Sequence, residues 1–224
     1  MNDSTNVAEN LKWLVLVPTK FEHQYVSRAL QIANSVIEIC GFGPVVPAAR
    51  TVQLIQRHDP DRVLLIGIAG TYGGTAEVGS ASSFSKVACY GIGAGSGETF
   101  QTAQEMGWNH WDDEDKNRQI TDVIPIVPLN KNTSQILTVC SAAEDSADVE
   151  QRLKKFPLAV AEDMEGFGVA TAGRLCDVPV SVVRGFSNQA GDRDKANWKI
   201  ADALSATVKL CHGAIENAKM GQDN

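Results

Sequence analysis

Short, wholly apolar runs alternate along this chain with longer stretches whose apolar residues recur every three or four positions. Trp13 to Val17 (WLVLV) has no polar face to offer solvent, which predicts a strand buried on both sides within a parallel sheet. Val26, Ala29, Leu30, Ala33, Val36 and Ile37 follow at helical spacing and predict a helix. A second helix is predicted around Pro47, a residue tolerated in a first helical turn, with Val45, Ala48, Val52 and Ile55 on its inner face. Val63 to Ile68 (VLLIGI) predicts a second buried strand, ending in a glycine turn at Ala69-Gly70. Ser80 to Tyr90 reads as one longer, partly alternating strand, and residues 91–119 as mostly loop. A strand over Gln135 to Cys140 and an amphipathic helix over Asp145 to Lys155 come next. Leu158 to Ala161 begins a strand that leads into a helix over Met164 to Cys176. Val178 to Arg184 is the last strand, with Pro179 at its start. Ile200, Leu204, Val208, Cys211 and Ile215 then lie on one face of a final helix.

This alternation predicts an α/β fold: a mixed central β-sheet flanked by helices on both faces. With no repeat, linker or low-complexity block, residues 13–224 are expected to form one domain and the polar residues 1–12 a flexible N-terminus. Composition narrows the function. A net charge of −7 and a pI near 5.1 lack the basic footprint of a nucleic-acid binder. No apolar run reaches the length of a membrane span, and residues 1–10 carry no apolar signal-peptide core. The five cysteines include no Cys-x-x-Cys pair, and four sit in or beside apolar runs, as buried free thiols do. These features predict a reduced, cytoplasmic protein. The four histidines are scattered without ligand spacing, so neither a metal nor a cofactor is expected.

In open α/β sheets ligands bind beyond the carboxyl ends of the strands. Those ends here carry Pro18-Thr19-Lys20-Phe21-Glu22, Gly67-Ile68-Ala69-Gly70, Glu162-Asp163-Met164-Glu165-Gly166 and Arg184-Gly185-Phe186-Ser187-Asn188. Gly41-Phe42-Gly43-Pro44 precedes the second helix. The Gly-x-Gly lacks the third spaced glycine of a dinucleotide fingerprint. Glu22 also reads as a solvated residue at a helix start, and Asp163 and Glu165 as first-turn acids favoured by the helix dipole. Arg184 and Asn188 are harder to set aside, because an apolar strand delivers both to one sheet edge.

Taken together, AEDMEGFGVA (Ala161 to Ala170) resembles the Met-Glu ribose motif of the nucleoside phosphorylase and nucleosidase superfamily. VVRGFSNQAGDRDKANW (Val182 to Trp198) resembles its base-binding strand and loop. GIAG (67–70) and GFGPVVPAA (41–49) match its glycine turns, in family order. Within the superfamily, MEGF followed by RGFSN and GDRD with a following Trp is similar to the futalosine hydrolases. The resemblance implies a purine nucleoside as the small-molecule partner, homo-oligomeric assembly, and hydrolysis of futalosine to hypoxanthine in the menaquinone pathway. It implies that Glu22 holds the attacking water, helped by Arg184 and Glu165. Glu165 would bind ribose hydroxyls and Met164 pack on the sugar, with Asp163 and Ser187 also at the substrate. Ala69 and Gly70 would line the sugar, Asn188 bind the base at N7, and Trp198 sit near the 5′ side. Phe167 and Phe186 are candidates to stack on the base.

The chemistry fits these roles. Cleavage of a purine N-glycosidic bond builds positive charge on the sugar, which carboxylates favour, and negative charge on the base, which a donor at N7 favours. An Asn amide offers two N–H donors, and a 6-oxopurine presents two acceptors, N7 and O6, on that edge. Many adenine-type nucleosidases of the superfamily that the chain resembles carry Asp at this position. A phosphate nucleophile would need cations, and only Lys20 stands near Glu22. Two rivals remain: a purine nucleoside phosphorylase acting on inosine or guanosine, and a purine-binding protein of the same fold without turnover.

Overall fold

A computed structural model describes residues 11–74, 76–115 and 118–220. The expectation for the N-terminus falls outside them, except for Leu11 and Lys12. Strand β1 (Trp13–Val17) is completely buried and leads through Thr19 into α1 (Lys20–Ala29). Then come β2 (Ser35–Ile39), α2 (Val45–His58), β3 (Arg62–Thr71), β4 (Ala81–Ser83) and β5 (Lys86–Tyr90). A two-residue hairpin of β6 (Gly93–Ala94) and β7 (Gln101–Thr102) precedes β8 (Val123–Pro125) and β9 (Gln135–Val139). The chain ends with α3 (Ser146–Lys155), β10 (Ala159–Asp163), α4 (Gly166–Leu175), β11 (Val180–Gln189) and α5 (Ile200–Met220). Nine of these strands form one mixed sheet in the order β2-β1-β3-β10-β9-β5-β8, with β11 pairing β3 and β4. This is the α/β architecture that the alternation of elements predicts. No described helix is long and apolar enough to cross a membrane.

Strand β3 organises everything that follows. Its first half, Arg62 to Leu65, pairs in parallel with β1; its last residues, Gly70 and Thr71, pair antiparallel with Glu162 and Ala161 of β10. Strand β11 runs parallel to β3 along its whole length, from Val180↔Val63 to Gln189↔Thr71. On the side away from β11, residues 66–69 therefore have no strand partner, because β1 has left and β10 has not yet arrived. That gap is where the polar residues collect. Either side of it lies a continuous apolar core that includes Leu14, Leu65, Ile136 and Val182 on one face and Val15, Leu64, Ile66 and Val183 on the other.

The elements differ from the sequence reading at several points. The helix expected to run on to Ile37 stops at Ala29; Asn34 takes a positive φ of 53°, and Val36 and Ile37 belong to β2 instead. Helical spacing was coincidental there, since the consecutive β-branched Val36 and Ile37 pair with Leu14 and Val15 of β1. In α2 the buried residues are Pro47, Thr51, Leu54 and Ile55, while Val45 is exposed, so the inner face is rotated from the one expected. GIAG (67–70) is not a turn but the second half of β3. The single strand expected over 80–90 is two, β4 and β5, and β8 was missed. The last strand extends five residues past Arg184.

Candidate functional site

The residues named from sequence for the site, except Arg184 and the stacking candidates Phe167 and Phe186, line a single cavity of about 220 Å³ at the gap beside β3. Arg184 lies directly behind its wall, with no exposure to solvent.

Glu22 reaches the gap through the start of α1. Thr19 caps that helix: its side chain accepts from the Glu22 N–H, and the Glu22 carboxylate accepts in return from the Thr19 N–H (3.1 Å) and hydroxyl (2.6 Å). The second carboxylate oxygen accepts from the Ile68 N–H at 3.1 Å, a donor on the unpaired stretch of β3. An acid that reads as a helix-start residue is thus also bonded to the sheet, and only 4% of it is exposed.

Arg184 projects from β11 at the level of Gly67, its register partner. Its Nε and Nη2 both donate to Asp163 Oδ2 (3.0 and 2.7 Å), and Nη2 also donates to Glu165 Oε2 (3.0 Å). Burial works against the charge, but the carboxylates of Asp163, Glu165 and Glu22 outweigh it and hold the guanidinium pKa above its ordinary value. Nη1 has no partner. A Cβ built on Gly67 would overlap Nη1 outright and lie 2.7 Å from Glu22 Oε1. Both groups therefore crowd the space left by the missing side chain of Gly67. A buried unpaired donor costs about 1–3 kcal/mol, and Nη1 is such a donor, held beside Glu22 behind the cavity wall.

Asp163 and Glu165 precede α4 rather than standing in its first turn. Asp163 ends β10, accepting from Thr138 Oγ1 (2.7 Å) and the Gly166 N–H (2.9 Å) besides Arg184. It thereby caps α4, which frees Glu165 at the cap position to turn its side chain away. Glu165 Oε1 accepts from the Gly43 N–H at 3.3 Å, where a φ of +79° suits glycine. Burial pushes the Glu165 pKa up to about 7; Arg184 pulls against this, and Asp163 adds to it. Burial likewise pushes the neighbouring Cys40 thiol up to about 12.

At the far end of β11, Asn188 Oδ1 accepts from Ser187 Oγ (2.8 Å) and Nδ2 donates to the Gln189 carbonyl (2.9 Å). One amide hydrogen, not two, is left for a ligand. Trp198 is fixed by its Nε1–H on the Asp192 carbonyl (3.2 Å) and carries Arg193 over its ring at 6.0 Å. Phe167 and Phe186 are core residues, 5% and 1% exposed, and neither lines the cavity. The aromatic residues that do, besides Trp198, are Phe21 and Phe42, both largely exposed at its mouth. Sequence reasoning had those residues inside quoted strand-end segments but gave them no role. It also missed Glu162 and the Ala142–Ala143 wall. Glu162 Oε2 pairs with Arg152 Nη1 and accepts from Tyr72 OH (2.9 Å), and Oε1 accepts from the Ala143 N–H (2.8 Å).

Residues 19–216 match the family model described as the phosphorylase superfamily. The chain belongs to the phosphorylase superfamily. The futalosine hydrolase of Streptomyces coelicolor is 30% identical over 179 residues, covering 74% of this chain and 72% of that protein. Among solved structures, a 5′-methylthioadenosine/S-adenosylhomocysteine nucleosidase from Colwellia psychrerythraea in complex with adenine superposes with a TM-score of 0.74 at 19% identity, over 92% of this chain and 95% of that one. The native futalosine hydrolase of Helicobacter pylori does so with a TM-score of 0.73 at 14% identity, over 92% and 98%. Members of this superfamily with different substrates thus share the backbone equally well with this chain, and substrate preference has to be argued from side chains.

Proposed function

We propose that this protein is a nucleosidase that hydrolyses the N-glycosidic bond of futalosine and releases hypoxanthine, as a cytoplasmic step in menaquinone formation. The carrying observation is that Glu22 Oε1 and the unpartnered Nη1 of Arg184 crowd the same point over Gly67. A water bound to Glu22 from the cavity would find a base for its proton in that carboxylate, with the Arg184 charge directly behind it. Phosphate is disfavoured there. Glu22, Asp163 and Glu165 surround a single guanidinium, and Lys20 is exposed and outside the cavity.

Glu165 takes the ribose hydroxyls and favours positive charge on the sugar, with Met164 packed against it and Ala69 and Gly70 beneath. Asp163 holds Arg184 in place. Asn188, oriented by Ser187, offers its remaining N–H to N7 as the base departs. Trp198 and Arg193 stand toward the 5′ side. The 30% identity to a futalosine hydrolase supports the choice of substrate. Phe21 and Phe42 at the cavity, and Val45 and Val46 at the start of α2, are each more than half exposed, and such exposed apolar residues support a homo-oligomer. Turnover in ¹⁸O-labelled water with and without phosphate tests the reaction class. The label should enter the free sugar at a rate indifferent to phosphate. A sugar phosphate as product would assign a phosphorylase, and no base release from any purine nucleoside would assign a binding protein.

A further inference from the structure

Asn188 alone does not choose between a 6-oxopurine and a 6-aminopurine. Its one available N–H suits N7, which both bases present as an acceptor. The bases differ at N1, on the far side of the C6 substituent from N7. A 6-oxopurine carries a donor at N1, whereas a 6-aminopurine carries an acceptor there. A residue that reads N1 has to stand about a purine's breadth from Asn188 and be an acceptor only.

We infer that Glu162 is that residue: its Oε1 accepts N1–H of the bound 6-oxopurine and makes the site selective for that base. Three observations place it there. First, Glu162 lines the same cavity as Asn188, although it is 4% exposed and no part of the hydrolytic chemistry needs it. Second, both residues are register partners of Gly70, Glu162 on β10 and Asn188 on β11. They therefore flank one strand, about two strand spacings or roughly 10 Å apart along the sheet. That span admits the width of a purine between two side chains, and the residue between them, Gly70, carries no side chain. Third, the lone pairs of Glu162 are unequally used. Oε2 takes Arg152 and Tyr72 OH, while Oε1 takes only the Ala143 N–H. A carboxylate oxygen accepts two hydrogen bonds, so Oε1 keeps one acceptor site, and Ala143 is itself a cavity residue.

The surrounding bonds make Glu162 a rigid reader. Arg152 balances its charge and also donates to the Ser141 carbonyl at 3.0 Å, tying the 141–143 wall to α3. With a 6-aminopurine bound, the N1 lone pair would face a carboxylate with no proton between them. A glutamine in this position can present either an amide oxygen or an amide N–H to N1, so it would lose the distinction.

This inference rests on the purine nucleosidase reading, and the test separates the two. Inhibition constants for hypoxanthine, adenine and 1-methylhypoxanthine are measured against base release by the wild type, Glu162→Gln and Tyr72→Phe. The wild type should prefer hypoxanthine to adenine and to 1-methylhypoxanthine. In Glu162→Gln the hypoxanthine-to-adenine preference should fall by about 10- to 100-fold, the worth of one hydrogen bond to a charged group. Tyr72→Phe, which keeps the carboxylate, should lose thermal stability and keep the preference. An unchanged preference in a folded Glu162→Gln protein overturns the assignment and leaves Glu162 as an anchor for Arg152 and Ala143. If that variant does not fold, wild-type affinities for hypoxanthine and 1-methylhypoxanthine within threefold of each other overturn it instead. Absence of base release by the wild type overturns the nucleosidase reading itself.

Discussion

Replacing Gly67 by Ala probes the proposed hydrolytic pair, Glu22 and Arg184, without touching either of its members. The added methyl would overlap Arg184 Nη1 and come within 2.7 Å of Glu22 Oε1, where real carbon contacts lie beyond 3.0 Å. Neither side chain can step aside freely. Glu22 is held by Thr19 and Ile68, and Arg184 by Asp163 and Glu165 in a fully buried position. Relief therefore displaces the two groups by about 1 Å, a misplacement that costs on the order of 100-fold in rate. Overpacking should add a stability loss of roughly 1–3 kcal/mol, or several degrees in melting temperature at roughly 2–4 °C per kcal/mol for a chain of this size. The assay is kcat and KM for nucleoside hydrolysis, with hypoxanthine binding and thermal melting alongside. We expect kcat to fall by about two orders of magnitude while hypoxanthine binding stays close to wild type, because Asn188 and Glu162 lie beyond Gly70. Gly213→Ala in α5, where a Cβ meets nothing within 4 Å, is the control and should be neutral or mildly stabilising. A folded Gly67→Ala enzyme with kcat within twofold of wild type would refute the role given to the Glu22–Arg184 pair.

Three further outcomes follow from the same network. The pKa of Glu165 is raised to about 7 in the folded protein, so the folded state binds more protons than the unfolded one between the ordinary carboxylate range and neutrality. Stability should fall as pH rises across that window, by at most about 1.4 kcal/mol per pH unit, and kcat/KM should rise with an apparent pKa near 7; Glu165→Gln should flatten both curves in melting and rate measurements over pH 5–8. Asp163→Ala leaves the buried Arg184 with one of its two carboxylate partners gone and should cost about 3–5 kcal/mol in denaturant unfolding; a loss below 1 kcal/mol would contradict the assignment of Asp163 as the anchor of Arg184. Asn188→Asp puts an acceptor oxygen against the Gln189 carbonyl, where Nδ2 now donates. Its activity on a 6-oxopurine nucleoside should drop about 10- to 100-fold at neutral pH and recover toward low pH as the carboxyl takes up a proton; a flat pH–rate profile in the variant would count against the N7 contact.

Much of the site was legible because its residues lie in short segments at strand ends, where apolar runs give way abruptly to charge. Glu22, Asp163, Glu165, Arg184 and Asn188 all stand out that way, and the fold class followed from the alternation of elements. The remainder depends on distances that periodicity does not encode. Val36 and Ile37 fit a helix on spacing alone; their pairing with β1 assigns them to a strand. Gly67 and Gly70 read as a turn until both are seen to pair with β11 within β3. Phe167 and Phe186 were as aromatic as Phe21 and Phe42, and only burial separates core from cavity. Glu162 looked like one more acid in an acidic string. Its significance comes from Arg152, Tyr72 and Ala143, residues 10, 90 and 19 positions away.

The most direct test of the central claim is a competition in phosphate-free buffer, in which the purified protein meets futalosine, its 6-amino counterpart aminofutalosine, inosine and 5′-methylthioadenosine together, and the bases released are resolved by chromatography. Hypoxanthine should come first and almost entirely from futalosine, with aminofutalosine and 5′-methylthioadenosine nearly untouched, since a site built to pair a substrate's polar groups rejects the mismatched base by roughly 10⁴-fold. Adenine released at a comparable or greater rate would contradict the account.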